Sequence, residues 1–279
     1  MKKRKKRRQF QKQTQQTLVF SIVVCFILLA LGTWSLLENV KYMKHSTNDK
    51  MAQYAHHYNW SYLDKSEKIY RYEDKNYYSR FGIDVSVHQG EIDWAKVKKA
   101  GVQFAYIRLG YRGYQNGYLS EDTTFRYNIQ EALKQKLPVG VYFFSQAINE
   151  KEAKEEAEFV LKRIRSYPIS LPVVYDLETA GEGKNNRIGS LTKEDMTKHA
   201  IAFMKHIKNN GYEAMSYSST QVYGRMYQLD VIQKYPVWIA EYDQVVKYPY
   251  QFRFWQYSSK GKIDGIHKPV DLNLQFIRK

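Results

Sequence analysis

The chain has 279 residues, 43% hydrophobic and 15% aromatic, enough to bury a sizeable core in one large domain or two small ones. Its formal net charge is +16, and residues 1–17 hold eight lysines and arginines without an acid. The mildly basic remainder suits an anionic partner, nucleic acid or bacterial wall, while the single cysteine, Cys25, excludes an intrachain disulfide and a cysteine-built metal site.

Lys2, Lys3, Arg4, Lys5, Lys6, Arg7 and Arg8 form a cationic run that leads into an uncharged apolar stretch, Leu18 to Leu37. As a helix rising ~1.5 Å per residue, that stretch would span about 30 Å, the thickness of a bilayer core. The cations favour the cytoplasm and leave the rest of the chain outside. This predicts a basic cytoplasmic tail over 1–17, a single N-terminal transmembrane helix over 18–37 acting as a signal anchor, and a polar extracellular stalk over 38–79. Ala30-Leu31-Gly32 offers a small-x-small pattern, so cleavage there would instead release a secreted protein.

From Phe81 onward strand-like and helix-like runs alternate. Strands are predicted over 81–87, 102–109, 139–145, 171–178, 214–219, 236–242, 252–258 and 270–277. Helical spacing appears over 94–100 and 122–136, after Asn149, and after Thr192 with Asp195 as its capping partner. The run Glu150, Glu152, Glu155, Glu156 and Glu158, interleaved with Lys151 and Lys154, reads as a solvated helix face. Repeated β-then-α units predict parallel strands and an α/β architecture, a modified TIM-like β/α barrel over 80–279 whose last strands have few helices. In such barrels chemistry gathers at the C-terminal strand ends.

Side chains alternate along a strand, so Val173, Tyr175 and Leu177 share one face while Val174, Asp176 and Glu178 share the other. Two acids so placed repel, and one should keep its proton toward neutral pH. Glycoside hydrolysis needs such a pair, one carboxyl to donate a proton and one ionised to steady the anomeric carbon. Asp84 with Ser86 and His88, and Asp271 with Asn273 and Gln275, fall on the same inward parity of their strands. Tyr106, Tyr142, Tyr217, Trp238, Trp255 and Tyr257 lie near the expected mouth, where aromatic faces stack on sugar rings. Arg108 could pair with an active-site acid or bind a substrate carboxylate, and serves equally well as a structural salt-bridge partner.

The series Gly82-Ile83-Asp84-Val85-Ser86, Phe104-Ala105-Tyr106-Ile107-Arg108, Gly140-Val141-Tyr142-Phe143-Phe144-Ser145 and Val174-Tyr175-Asp176-Leu177-Glu178, continued by Trp238-Ile239-Ala240, Trp255-Gln256-Tyr257 and Val270-Asp271-Leu272-Asn273, resembles glycoside hydrolase family 25 lysozymes in order and content. The resemblance implies a muramidase that cuts the β-1,4 bond between N-acetylmuramic acid and N-acetylglucosamine in peptidoglycan. It assigns Glu178 as general acid, with Asp176, Asp84 and Asp271 as the other active-site carboxylates. Tyr106, Tyr142, Tyr217, Trp238 and Arg108 are the expected substrate contacts. Asp176 would stabilise the oxocarbenium-like centre, orient the substrate's acetamide, or act as nucleophile. Phe143 departs from the family, many of whose members carry His there. No cofactor, metal or nucleic acid is expected. The alternative is a wall-binding protein that holds glycan in the same groove without cutting it.

Overall fold

The computed structural model describes residues 49–66, 69–178 and 187–279. The tail expected over 1–17, the membrane helix expected over 18–37 and the first part of the stalk lie outside the described residues. Among the described residues no helix is long and apolar enough to cross a membrane.

A short helix, α1 (Asp49–Ala52), and two small antiparallel strands, β1 (Leu63–Asp64) and β2 (Arg71–Tyr72), precede the main sheet. The main sheet opens with β3 (Tyr77–Val85), and α2 (Trp94–Lys99) leads to β4 (Phe104–Arg112). A hairpin strand, β5 (Leu119–Glu121), and α3 (Phe125–Lys134) follow. Next come β6 (Val139–Phe144), α4 (Glu150–Ile164) and β7 (Val173–Asp176). Then α5 (Lys193–Asn209), β8 (Ala214–Ser219), α6 (Thr220–Met226) and α7 (Leu229–Ile232) precede β9 (Val237–Ala240). Finally β10 (Phe254–Gly261) and β11 (Val270–Arg278) complete the chain.

Pairing of β3 with both β4 and β11 closes the strands β3, β4, β6, β7, β8, β9, β10 and β11 into a barrel. The expected modified TIM-like α/β barrel needs correcting, because this barrel is mixed. β11 runs antiparallel to β10 and to β3, and no helix lies between β9 and β10. The cause is chain length. Only residues 262–269 join β10 to β11, whereas a parallel return needs a crossover of about a dozen or more residues. The strand therefore doubles back as a hairpin.

Two apolar layers result. Outside the barrel, alternate residues such as Ile83, Val141, Val173 and Tyr175 pack beneath helices, with Tyr175 and Phe203 rings 5.2 Å apart. Inside, Phe104, Tyr106, Trp238 and Phe254 fill the middle, and Tyr106 stacks on Trp238 at 4.6 Å. Glycine makes room for these rings: a Cβ on Gly140 would lie 2.2 Å from Tyr106, and one on Gly82 2.4 Å from Phe104. The plug leaves space only at the two ends of the barrel.

Where helices are missing, the segment before β3 takes their place. Tyr58, Trp60, Tyr70 and Tyr72 lie over the outer faces of β10 and β11: Trp60 meets Trp255 at 5.7 Å, Tyr70 stacks on Tyr257 at 4.4 Å, and Tyr58 lies 4.3 Å from Phe276. The Tyr58 hydroxyl donates to the Phe252 carbonyl at 2.7 Å, and Tyr72 is 1% exposed. Residues 49–79, read from sequence as part of a stalk, are therefore packed on the barrel as far as they are described. Trp255 and Tyr257 point outward beneath this cover rather than toward the mouth.

Candidate active site

A groove of about 620 Å³ opens at the C-terminal ends of the parallel strands, and Asp84, Asp176, Glu178 and Asp271 all line it. Asp84 and Asp271 are direct partners across the antiparallel β3–β11 pair. Asp176 ends β7, and its backbone carbonyl accepts from the Ser145 N–H at 2.8 Å. The Ser145 hydroxyl in turn donates to Glu156 at 2.7 Å, and Glu156 pairs with Arg112 at 2.8 Å, both side chains almost fully enclosed. Glu156 thus differs from its neighbours on the acidic run. It is buried, because α4 turns this position toward the barrel.

Asp84 sits in a relay of amides. Its Oδ2 accepts from Gln256 Nε2 at 2.8 Å and Asn273 Nδ2 at 2.7 Å. Gln256 Oε1 accepts from the Tyr217 hydroxyl at 2.8 Å and the Tyr242 hydroxyl at 2.7 Å, and Asn273 Oδ1 from Trp238 Nε1 at 2.9 Å. Both amide oxygens are thus held by ring donors, which turns the amide N–H groups toward Asp84.

Burial dominates the electrostatics. It lifts Asp84 to about 6, against the two amide donors and with help from the Glu178 charge. Asp271 rises to about 8, through burial and the charges of Asp84 and Glu178. Asp176 is pushed well above the usual carboxylate range by burial, then by the charges of Glu178 and Asp84. Glu178 stands at the rim with an exposed side chain, yet removal of water by the groove walls still raises it, against a hydrogen bond with Asp176 and the Arg108 charge. Both members of the Asp176–Glu178 pair are thus shifted toward the protonated form, the deeper Asp176 more strongly.

Arg108 lines the groove, but its ion pair is with Asp122, Nε to Oδ2 at 2.8 Å. Burial opposes the Asp122 charge, and the N–H groups of Val87 and Thr124, the Thr124 hydroxyl and Arg108 outweigh it, holding Asp122 below its usual range. Tyr142, Tyr217 and Trp238 reach the groove. Tyr106 does not, being fully enclosed in the barrel plug. Among the described residues no group of three or more His, Cys, Asp or Glu has the arrangement of a metal site.

Residues 83–266 match the family model for Glycosyl hydrolases family 25. The chain belongs to that family. The uncharacterized protein YegX of Escherichia coli (strain K12) is 28% identical over 264 residues, covering 89% of this chain and 88% of that protein. The autolytic lysozyme of Clostridium acetobutylicum is 26% identical over 195 residues, 69% of this chain and 54% of that protein. The modular autolysin LytC from Streptococcus pneumoniae superposes with a TM-score of 0.62 at 29% identity, covering 71% of this chain and 47% of that one. This chain spans about half the length of the last two. As a family 25 hydrolase it is a glycosidase of the muramidase type, acting on peptidoglycan.

Several groove residues of this family 25 hydrolase were not singled out in sequence. Gln256 and Asn273 carry the inward parity of their strands, the one available signal, but an amide on a strand looks ordinary until its partner is known. Tyr242, which ends the strand expected over 236–242 on the parity of Trp238, and Tyr111 and Tyr114, beyond the strand expected over 102–109, also line the groove.

Proposed function

We propose that Glu178 donates the proton that releases the leaving sugar, and that Asp176 is the carboxylate that answers charge at the anomeric carbon. The observation that carries this reading is geometric: Asp176 and Glu178, two residues apart at the end of β7, both line a groove that also holds Asp84 and Asp271. With glycan in the groove, the scissile oxygen lies at the rim, where Glu178 reaches solvent. Proton transfer from Asp176 to Glu178 then leaves an acid outside and a carboxylate beneath the sugar, the two roles that glycoside hydrolysis requires. Asp84, fixed by its amides, keeps the pair's proton affinity high. Tyr142, Tyr217 and Trp238 supply ring faces and polar edges for the sugars.

The cut bond is the β-1,4 linkage from N-acetylmuramic acid to N-acetylglucosamine. The cationic run 2–8 followed by the apolar stretch 18–37 supports an enzyme tethered to the outer side of the cytoplasmic membrane. Glu178→Gln keeps the shape of the side chain and removes the transferable proton, so wall hydrolysis is expected to drop by about 10²–10⁴-fold. A zymogram on embedded peptidoglycan, with mass spectrometry of the released muropeptides, reads both rate and bond. A variant clearing the gel as fast as the parent, or products lacking a reducing muramic acid, would refute the proposal.

A further inference from the structure

The opposite end of the barrel carries a second groove, of about 1100 Å³, formed where β3, β6, β7, β9 and β10 begin and β11 ends. Four basic side chains line it, Arg80, Lys234, Arg253 and Arg278, and no carboxylate among the described residues does. Arg253 is satisfied by Glu213 at 2.9 Å, but Arg80, Lys234 and Arg278 have no acidic partner among the described residues. Arg80 is half-buried, which is costly for an unpaired cation.

A second observation comes from Gln275, directly opposite Arg80 across the β3–β11 pair. Its side chain is 4% exposed, it lines the same groove, and its Oε1 has no hydrogen-bond partner. A buried acceptor left unmatched awaits a donor. Guanidinium groups favour phosphate, which they meet with paired N–H bonds. Inorganic phosphate or sulfate would meet the cations yet bring no alcohol to Gln275. A ligand that carries both a phosphate and an alcohol hydroxyl satisfies both.

We propose that this groove binds a polyol phosphate of the glycerol phosphate type, with Arg80 on the phosphate and Gln275 Oε1 accepting from a hydroxyl. The site is separate from the hydrolytic groove and stands whether or not Glu178 is the acid. Such a group can come from a free polyol phosphate or from a phospholipid headgroup.

The test is calorimetric titration of the full chain in non-ionic micelles with glycerol 3-phosphate and, separately, inorganic phosphate. Saturable binding is expected, tighter for glycerol phosphate by about tenfold, a factor that ~1.4 kcal/mol supplies. Arg80→Gln should weaken both ligands by about tenfold or more. Gln275→Leu should abolish the preference for glycerol phosphate while leaving phosphate binding in place. The N-terminal cationic run is common to every variant and so contributes no difference among them. Doping the micelles with phosphatidylglycerol, against phosphatidylcholine as control, identifies the source. Displacement of glycerol phosphate only by the anionic lipid points to a headgroup, and no displacement points to a free polyol phosphate. Absence of saturable binding by the parent overturns the proposal. So does an Arg80→Gln protein that retains the parent's thermal midpoint and wall hydrolysis and also binds as tightly as the parent.

Discussion

Asn273 has two bonds to lose. It donates to Asp84 and accepts from Trp238, so Asn273→Leu removes one of the two amide donors on Asp84 and strands a buried indole N–H. A hydrogen bond to a charged group contributes about 1.5–3 kcal/mol, which corresponds to roughly 1–2 pKa units at ~1.36 kcal/mol per unit. Asp84, already lifted to about 6, should rise further. The acidic limb of the kcat/KM profile is then expected to move upward by about one unit or more. Asn273→Asp, which keeps an acceptor for Trp238 but sets another acid against Asp84, should move it in the same direction. An unchanged limb in both variants would mean that ionised Asp84 has no part in turnover.

The aromatic cover over β10 and β11 makes a stability argument at the level of one element. Tyr72 is enclosed, bonded through its hydroxyl to Asp74 at 2.6 Å and to the Asn59 N–H at 2.9 Å, and lies 5.3 Å from Phe276. Tyr72→Ala should cost about 3–5 kcal/mol, as large buried aromatics do, whereas Tyr118→Ala, at a position 72% exposed, should be nearly neutral. Urea unfolding of the two variants checks this. A chain cut to 80–279 would lose the whole cover and expose Trp255, Tyr257 and Phe276 together, an apolar patch of the kind that aggregates. It is expected to bind a hydrophobic dye and precipitate where 49–279 stays soluble. Equal behaviour of the two fragments would show that the cover is dispensable. This element also marks where sequence stops being informative. Inward parity placed Asp84, Asp176 and Asp271 correctly, because strand alternation is local and strict. The direction of β11 is not a local property: Val270–Ile277 reads the same run either way, and only the short 262–269 connection decides it. The aromatics of 58–72 follow no helical or strand period, since they conform to a surface made elsewhere in the chain. The short helices α6 and α7 are too brief for a periodic signal.

For the molecule as a whole, the groove acids set how stability responds to pH. Asp84, Asp271 and Asp176, together with the distant Glu156 at about 7, bind their protons more tightly folded than unfolded. Each contributes fully below its unfolded pKa and loses that contribution as pH climbs through its folded one. Asp122, Asp74 and Glu152 are lowered and act in the opposite sense. Their contribution is present above their unfolded values and is lost as pH falls through the folded ones. The two limbs leave a maximum at about pH 4–5 and a fall across about pH 5–8, through the values of Asp84, Glu156 and Asp271. Asp271→Asn removes the most strongly raised of those three and should flatten the fall. At pH 8 its thermal midpoint is expected to exceed the parent's by at least about 2–4 °C, the shift that ~1 kcal/mol gives a domain of this size, while at about pH 3, below the unfolded pKa of an aspartate, the two should coincide. Scanning calorimetry at both pH values decides it. If Asp271→Asn melted below the parent at pH 8, the burial of an ionised Asp271 beside other acids would not be what destabilises the groove. If it melts above, the acids that equip the barrel for hydrolysis are held there at the expense of the fold, as catalytic groups often are.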